Sequence, residues 1–313
     1  MKIDVIIPIY KPGGELFTLL DRLNQQSVAV RKIILMNTGR ENFTELMKES
    51  EFAKRYPNAE VHHLEKQDFD HGGTRHEATG HSDAGIFVMM TQDALPSDRY
   101  LVEHLVENLK GRTAAAYARQ LPDAASSELE KVSRQFNYPV DSRVKGMEDL
   151  RELGIKTFFC SNVCAAYRRD IYDELGGFER HTIFNEDMLY AAKAVKAGYQ
   201  IAYEARAQVI HSHNYTNLQQ LRRNFDLGVS QADHPEVFGM AASESEGMRL
   251  VKETWNSLKA RKRLYRFPGF CLQCAFKYAG YLLGKHYKAL PEGLINILTT
   301  NKEYWNAPVR AKG

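Results

Sequence analysis

The chain has 313 residues, with 42 Lys and Arg against 39 Asp and Glu and a formal charge of +3. That length can bury the core of one large domain with an appendage, or of two modest domains, and so small a net charge gives no whole-protein attraction to nucleic acid. Four cysteines form no disulfide framework, which suits a reducing, cytosolic compartment.

The opening MKIDVIIPIY has one Lys and a short apolar run holding Asp4, so it reads as a first strand and not as a signal peptide. DVIIPIY (4–10), KIILMN (32–37), AEVHHL (59–64) and GIFVMMT (85–91) read as strands, with helical patterns at about 13–26, 41–55 and 74–82. This βαβ series predicts a mostly parallel sheet flanked by helices. Ligands of such sheets sit beyond the strand C-terminal ends, so PIYKPGG, MNTGR, EKQDFDHGGTR and TQDALP should converge on one cleft.

A further strand is expected near 113–120, then an irregular, charged and partly mobile loop over 121–156. Residues 158–178 read as a strand turning into a short helix, and 184–201 is helical from Met188 onward. Asn185, Glu186 and Asp187 stand at that helix start, where acids favour the dipole. A last strand (205–213) precedes a helix (217–231). The division expected is 1–235 and a helical, basic, aromatic region 236–313. Residues 254–290 hold eight cations and no acid, leaving 34 cations against 39 acids elsewhere, a balance of −5. Cys271 and Cys274 have C-x-x-C spacing without a second metal pair and read as apolar filler. No uninterrupted apolar stretch reaches membrane-spanning length.

Five motifs in order, VIIPIYKPG, FDHGGTRH, TQDA, NEDM and HSHNYT…QLRRNFDLG, resemble the inverting family 2 glycosyltransferases of GT-A fold, and most closely bacterial dTDP-rhamnosyltransferases of surface polysaccharides. The resemblance covers roughly residues 1 to 231. It implies a GT-A nucleotide-sugar-binding fold, a nucleotide-sugar donor and a divalent metal, Mn²⁺ or Mg²⁺, held by the acid of TQDA. Asp93 is the one acid of this D-x-D-like motif, and Gln92 occupies the neighbouring position. Hard cations neutralise a diphosphate leaving group through oxygen ligands. His211 and His213 lie at the end of the last strand, where such enzymes often supply a further metal ligand, and alternation points both to one side.

In NEDM the resemblance makes Asp187 the base that takes the acceptor hydroxyl proton, with Glu186 beside the sugar or acceptor. A plain helix cap is the alternative for both. The glycines after Asp70 let backbone approach a ligand at a helix N-terminus, and the resemblance puts Arg75 near the diphosphate or base and Asp70 near the donor. Pro8, Ile9 and Tyr10 resemble a pyrimidine and ribose cradle, Asn37 a base reader, and Arg222 and Arg223 the basic positions after the last strand. A processive Q-x-x-R-W tryptophan is absent.

The leading expectation is transfer of L-rhamnose from dTDP-L-rhamnose, with inversion, to a lipid-linked saccharide hydroxyl. A UDP-hexose donor and a catalytically silent nucleotide-sugar-binding scaffold are the alternatives. The run 254–290 is expected to dock on the cytoplasmic membrane surface, with packing on the catalytic domain or a homodimer seam as its alternative.

Overall fold

The computed structural model describes residues 1–240 and 244–306. Nine strands form one sheet: β1 (Ile3–Tyr10), β2 (Lys32–Thr38), β3 (Ala59–Leu64), β4 (Ile86–Met90), β5 (Leu95–Pro96), β6 (Thr113–Leu121), β7 (Arg143–Lys145), β8 (Cys164–Arg168) and β9 (Gln200–Ile210). Their order is β3-β2-β1-β4-β8-β6-β9-β5, with β7 also paired to β9. The first four are parallel, as the βαβ pattern requires. β8 enters antiparallel between β4 and β6, and β9 runs parallel to β6. The near-continuous apolar runs follow from burial on both faces. Ile3, Val5, Ile7 and Ile9 enter one core with Leu16, Leu19 and Leu20, while Ile6, Phe87 and Met89 enter the other with Tyr167, Tyr172 and Tyr190.

Three sequence expectations change. The helix expected over 41–55 is two, Arg40–Leu46 and Glu49–Arg55, because Met47 is extended. The stretch 121–156 carries the helix Glu128–Asn137, strand β7 and a short helix Leu150–Leu153. Ser127 caps the first of these by accepting from Glu130 N at 3.1 Å. Its periodicity is faint because only Val132 of that helix is buried, and polar contacts such as Arg134 to Gln120 do the anchoring. Cys271 is exposed and so fills no core, whereas Cys160 and Cys164 are buried.

The C-terminal region is helical, at Glu244–Ala260, Phe267–Lys285, Glu292–Leu298 and Lys302–Asn306. Helix Phe267–Lys285 crosses helix Asn217–Asp233 at three glycines. A Cβ on Gly280 would lie 2.1 Å from Leu221 O, and one on Gly228 2.3 Å from Tyr281 O. Gly284 is pressed equally hard on Phe225 O. Asp226, buried in helix Asn217–Asp233, accepts from Thr299 Oγ1 at 2.7 Å and Thr300 N at 2.9 Å, which ties that stretch to the same helix. No helix among the described residues is long and apolar enough to cross a membrane.

Candidate active site

The strand C-terminal ends converge as the βαβ pattern implies. Gln92 receives Tyr10 N–H at 2.8 Å on its side-chain oxygen and donates to Tyr10 O at 3.0 Å, locking the loop after β4 to the end of β1. The side-chain amide supplies both the donor and the acceptor, where a carboxylate could only accept. Gln92 is thereby turned toward backbone. Tyr10 is exposed, Pro8 half-buried and Ile9 buried. Asn37 is fully buried at the end of β2. Its amide nitrogen reaches Gly39 O at 2.8 Å and His63 Nδ1 at 2.9 Å, while its Oδ1 has no partner among the described residues.

Asp93, His211 and His213 come together, with one ligand atom from each inside 4.8 Å of the others. His211 Nε2 lies 3.5 Å and His213 Nε2 3.3 Å from the Asp93 carboxylate. Behind them, His211 Nδ1 is 2.9 Å from Gln120 Oε1. That oxygen can only accept, so Nδ1–H donates to it and the ring is held with Nε2 turned toward Asp93. Gln120 is itself fixed by Arg134, by Ser161 Oγ at 3.0 Å and by Tyr138 Oη at 2.5 Å. Burial pushes Asp93 up, but the His211 hydrogen bond and charge outweigh it and hold the carboxyl well below its usual range. Burial, with the adjacent His211, pushes His213 down to about 4, leaving a neutral imidazole. One carboxylate and two oriented imidazoles form a donor set that fits a divalent ion.

The second acidic centre is built on helix Glu186–Lys196. Asn185, in the left-handed region at φ 67°, makes no side-chain cap bond and instead donates to Ser230 Oγ at 3.1 Å. The two acids are therefore not a simple cap. Glu186 is buried against Arg75 Nε (3.2 Å), His71 Nδ1 (3.3 Å) and Asn162 Nδ2 (3.0 Å). Burial pushes its carboxyl up, but Arg75 and His71 outweigh this and hold it well below the ordinary range. Half-buried Asp187 accepts from Asn162 N at 2.9 Å and Met188 N at 2.8 Å. Burial first, then the Glu186 charge, raises it well above a usual carboxyl. Two neighbouring acids are thus driven apart, one firmly ionised and one suited to exchanging a proton near neutrality.

Arg75 faces Glu186 in this arrangement. The two glycines of FDHGGTRH serve the chain's own backbone: a Cβ on Gly72 would collide with Glu179 O, and one on Gly73 would lie 2.7 Å from Arg180 O. Asp70 caps helix His71–Thr79 through Gly73 N at 2.5 Å, and burial pushes its carboxyl up to about 6. Arg223 is exposed and lies over the rings of Phe184 (4.8 Å) and Tyr215 (5.6 Å), beside His213. Arg222 is half-buried, and its Nε has no partner among the described residues. Sequence reasoning missed Asn162, which holds both acids, and Gln120, which orients His211. Neither lies in a recognisable pattern; their meaning comes from strand pairing.

The mixed α/β sheet thus carries an acid–histidine cluster at its strand ends and an acid pair at a helix start. The model of Glycosyl transferase family 2 matches residues 4–176, and the chain belongs to that family; it is a glycosyltransferase. The chain is 39% identical over 311 residues to the O-antigen chain rhamnosyltransferase RfbN of Salmonella typhimurium, covering 98% of this chain and 96% of that one. To the O-antigen chain rhamnosyltransferase WbaN of Salmonella anatum it is 40% identical over 248 residues, 78% of each. Among solved structures, the mannosyltransferase PcManGT of Pyrobaculum calidifontis, in complex with GDP-Man and Mn²⁺, superposes with a TM-score of 0.62 at 15% identity, over 92% of this chain and 88% of that one. S. aureus TarS 1-349 superposes at 0.52 with 13% identity, over 97% and 85%. These two likenesses define a shared GT-A fold.

Proposed function

We propose that the protein transfers L-rhamnose from dTDP-L-rhamnose, with inversion at C1, to a sugar hydroxyl of a lipid-linked polysaccharide precursor. The observation that carries the donor is the 39% identity to RfbN along nearly the whole of both chains. Asp187 serves as the base: its raised affinity for a proton lets it take the acceptor hydroxyl hydrogen as that oxygen attacks C1. Glu186 stays ionised, keeps Asp187 raised by its charge, and is held in place by Arg75, His71 and Asn162. Asp93, His211 and His213 would hold a divalent cation, which when bound neutralises charge on the departing diphosphate. Arg223 adds an exposed cation beside that cluster. Residues 1–235 form the catalytic domain and 236–313 its helical extension in this reading.

The extension places the enzyme on the inner membrane face, where a lipid-linked acceptor would be met. Helix Phe267–Lys285 has two faces. Gly280, Gly284 and Phe270 are buried, whereas Cys271, Leu272, Ala275, Tyr278 and Leu282 are exposed at helical spacing. Lys259, Arg261, Lys262 and Lys285 are exposed nearby and have no acidic partner among the described residues. An apolar stripe flanked by cations suits an anionic interface.

A donor panel tests the activity. Nucleotide release should be measured from dTDP-L-rhamnose and from UDP-glucose, UDP-galactose and UDP-GlcNAc, each with Mn²⁺, Mg²⁺ or EDTA. Cation-dependent release from dTDP-L-rhamnose well above the others is expected. Preference for a UDP-hexose would reassign the donor.

A further inference from the structure

Rings in this protein fall into two groups. One, including Phe43, Phe52, Tyr167, Tyr172 and Tyr190, is buried and packs as core. A second set is half-exposed and continuous, although its members come from four separate stretches of the chain. Starting at the metal-type cluster, the His213 ring stacks on Tyr215 at 4.7 Å, and Arg223 bridges Tyr215 to Phe184. Phe184 meets His71 at 5.7 Å, and His71 meets Phe69 at 5.8 Å. Adjoining this end, His181 has its ring stacked 4.6 Å from Tyr304 at 11° and its Nδ1 3.7 Å from the Asp70 carboxylate.

The path passes the acid pair on the way, since His71 Nδ1 is 3.3 Å from Glu186. It therefore leads from the leaving-group end, past the base, to a wall supplied by the C-terminal helix Lys302–Asn306. That helix is held there by Lys66 to Glu303 at 2.9 Å. The wall lies beyond residues 4–176, the part matched by the family model. Phe184 and Tyr304 pack only partly against the core, Phe69 and His71 are half-exposed, and His181 keeps 47% of its side chain in solvent. Half-exposed rings beside a few fixed polar groups are the lining of a ligand site. Sugar rings offer apolar C–H faces to stack on aromatics, and their hydroxyls would donate to the Asp70 carboxylate.

We infer that the rings of Phe69, His71, Phe184 and His181, closed off by Tyr304 and with Asp70 as hydrogen-bond acceptor, form the binding track for the acceptor saccharide. The inference rests on the proposed glycosyl transfer and names the side from which its acceptor comes. An inverting reaction needs attack from the face opposite the diphosphate, and the track leaves the base away from Asp93.

Saturation-transfer NMR on the full chain tests this, using methyl glycosides of mannose, galactose, glucose and rhamnose and disaccharides made from them. Donor hydrolysis is measured in parallel with dTDP-L-rhamnose. Sugar C–H protons should receive saturation in the wild type; Phe69→Ala and His181→Ala should lose most of it, and His181→Phe should retain it. Donor hydrolysis should stay near wild type in His181→Ala, whose exposed side chain supports no core. The inference is overturned if no saccharide gives a signal, if both alanine variants keep the full signal, or if donor hydrolysis falls in step with saccharide binding. Failure of the wild type to hydrolyse the donor would count against the proposed donor and leave the saccharide signals to decide the track.

Discussion

The two acidic centres on the strand-end face are built in opposite ways. Glu186 and Asp187 have their polar needs met within the protein, by Arg75, His71, Asn162 and backbone N–H groups. Asp93 is 41% exposed and faces two imidazoles. The first centre is closed and tuned, which suits a group that must exchange a proton at a set affinity. The second is open, with its rigidity placed one layer back in Gln120, which suits capture of an ion and a diphosphate. Loss of a group should therefore show in turnover at the first centre and in binding at the second.

The largest effect expected is at the closed centre. Asp187→Asn keeps the shape and one of the two backbone contacts, since its single oxygen can accept from only one of Asn162 N and Met188 N, and it cannot take up a proton, so transfer should fall by about 10²–10⁴-fold. Donor affinity, measured by titration, should stay close to wild type. Near-normal turnover would remove Asp187 from the role of base.

At the open centre, Gln120→Leu leaves all three ligand side chains in place and removes the acceptor that orients His211, together with the Gln120 contacts to Arg134, Ser161 and Tyr138. Cation affinity should weaken by roughly 10–100-fold, read as the concentration of Mn²⁺ needed for half-maximal donor binding. Because two of the three ligands are imidazoles, Mn²⁺ should serve better than Mg²⁺, which favours oxygen ligands. Equal donor affinity with EDTA and with Mn²⁺ would mean that the cluster holds no ion in the working enzyme.

The coupling within the acid pair gives a third test, in pH. Asp187 is raised by burial and by the Glu186 charge, so the acid limb of the kcat/KM profile should lie well above the usual carboxyl range. Glu186→Gln removes that negative charge, while Arg75 and His71, which also face the pair, remain. Both changes favour ionised Asp187. The acid limb should move to lower pH by about one unit, with reduced thermal stability because buried Arg75 loses its partner. A limb that stays in place would separate the rate from Asp187.

How much of this could be read from the sequence follows the same division. The parallel strands were legible because burial on both faces writes continuous apolar runs, and the acids and histidines stood at strand or helix ends where chemistry collects. Antiparallel β8 was not, because strand direction leaves no trace in composition. Helix Glu128–Asn137 was lost because polar contacts and not an apolar stripe hold it. Gln92 showed only as a neighbour of Asp93, yet its value lies in donating and accepting at once to Tyr10. Asn162 carried no signal at all, since the two acids it holds lie more than 20 positions away and meet it only through folding.

Matched and unmatched charge also separates the cations of the C-terminal region, and this gives the smallest effects. Arg263 and Arg266 reach Glu128, and Lys288 lies 3.7 Å from Asp233, so these three already have partners. Lys262 and Lys285 are exposed and have none among the described residues. A cation near an anionic surface contributes about 1 kcal/mol, or about fivefold in affinity. Lys262→Ala and Lys285→Ala should each weaken co-sedimentation with anionic vesicles by about that factor at low salt. Arg263→Ala should do less, because binding a lipid would first require it to leave Glu128. Leu282→Ser, on the exposed stripe of helix Phe267–Lys285, should weaken binding to anionic and neutral vesicles alike, since it removes buried apolar area and no charge. Equal binding of the wild type to both kinds of vesicle, or equal losses in all three cation variants, would show that the unmatched cations do not read a membrane charge; the apolar stripe would then serve contact with another protein surface.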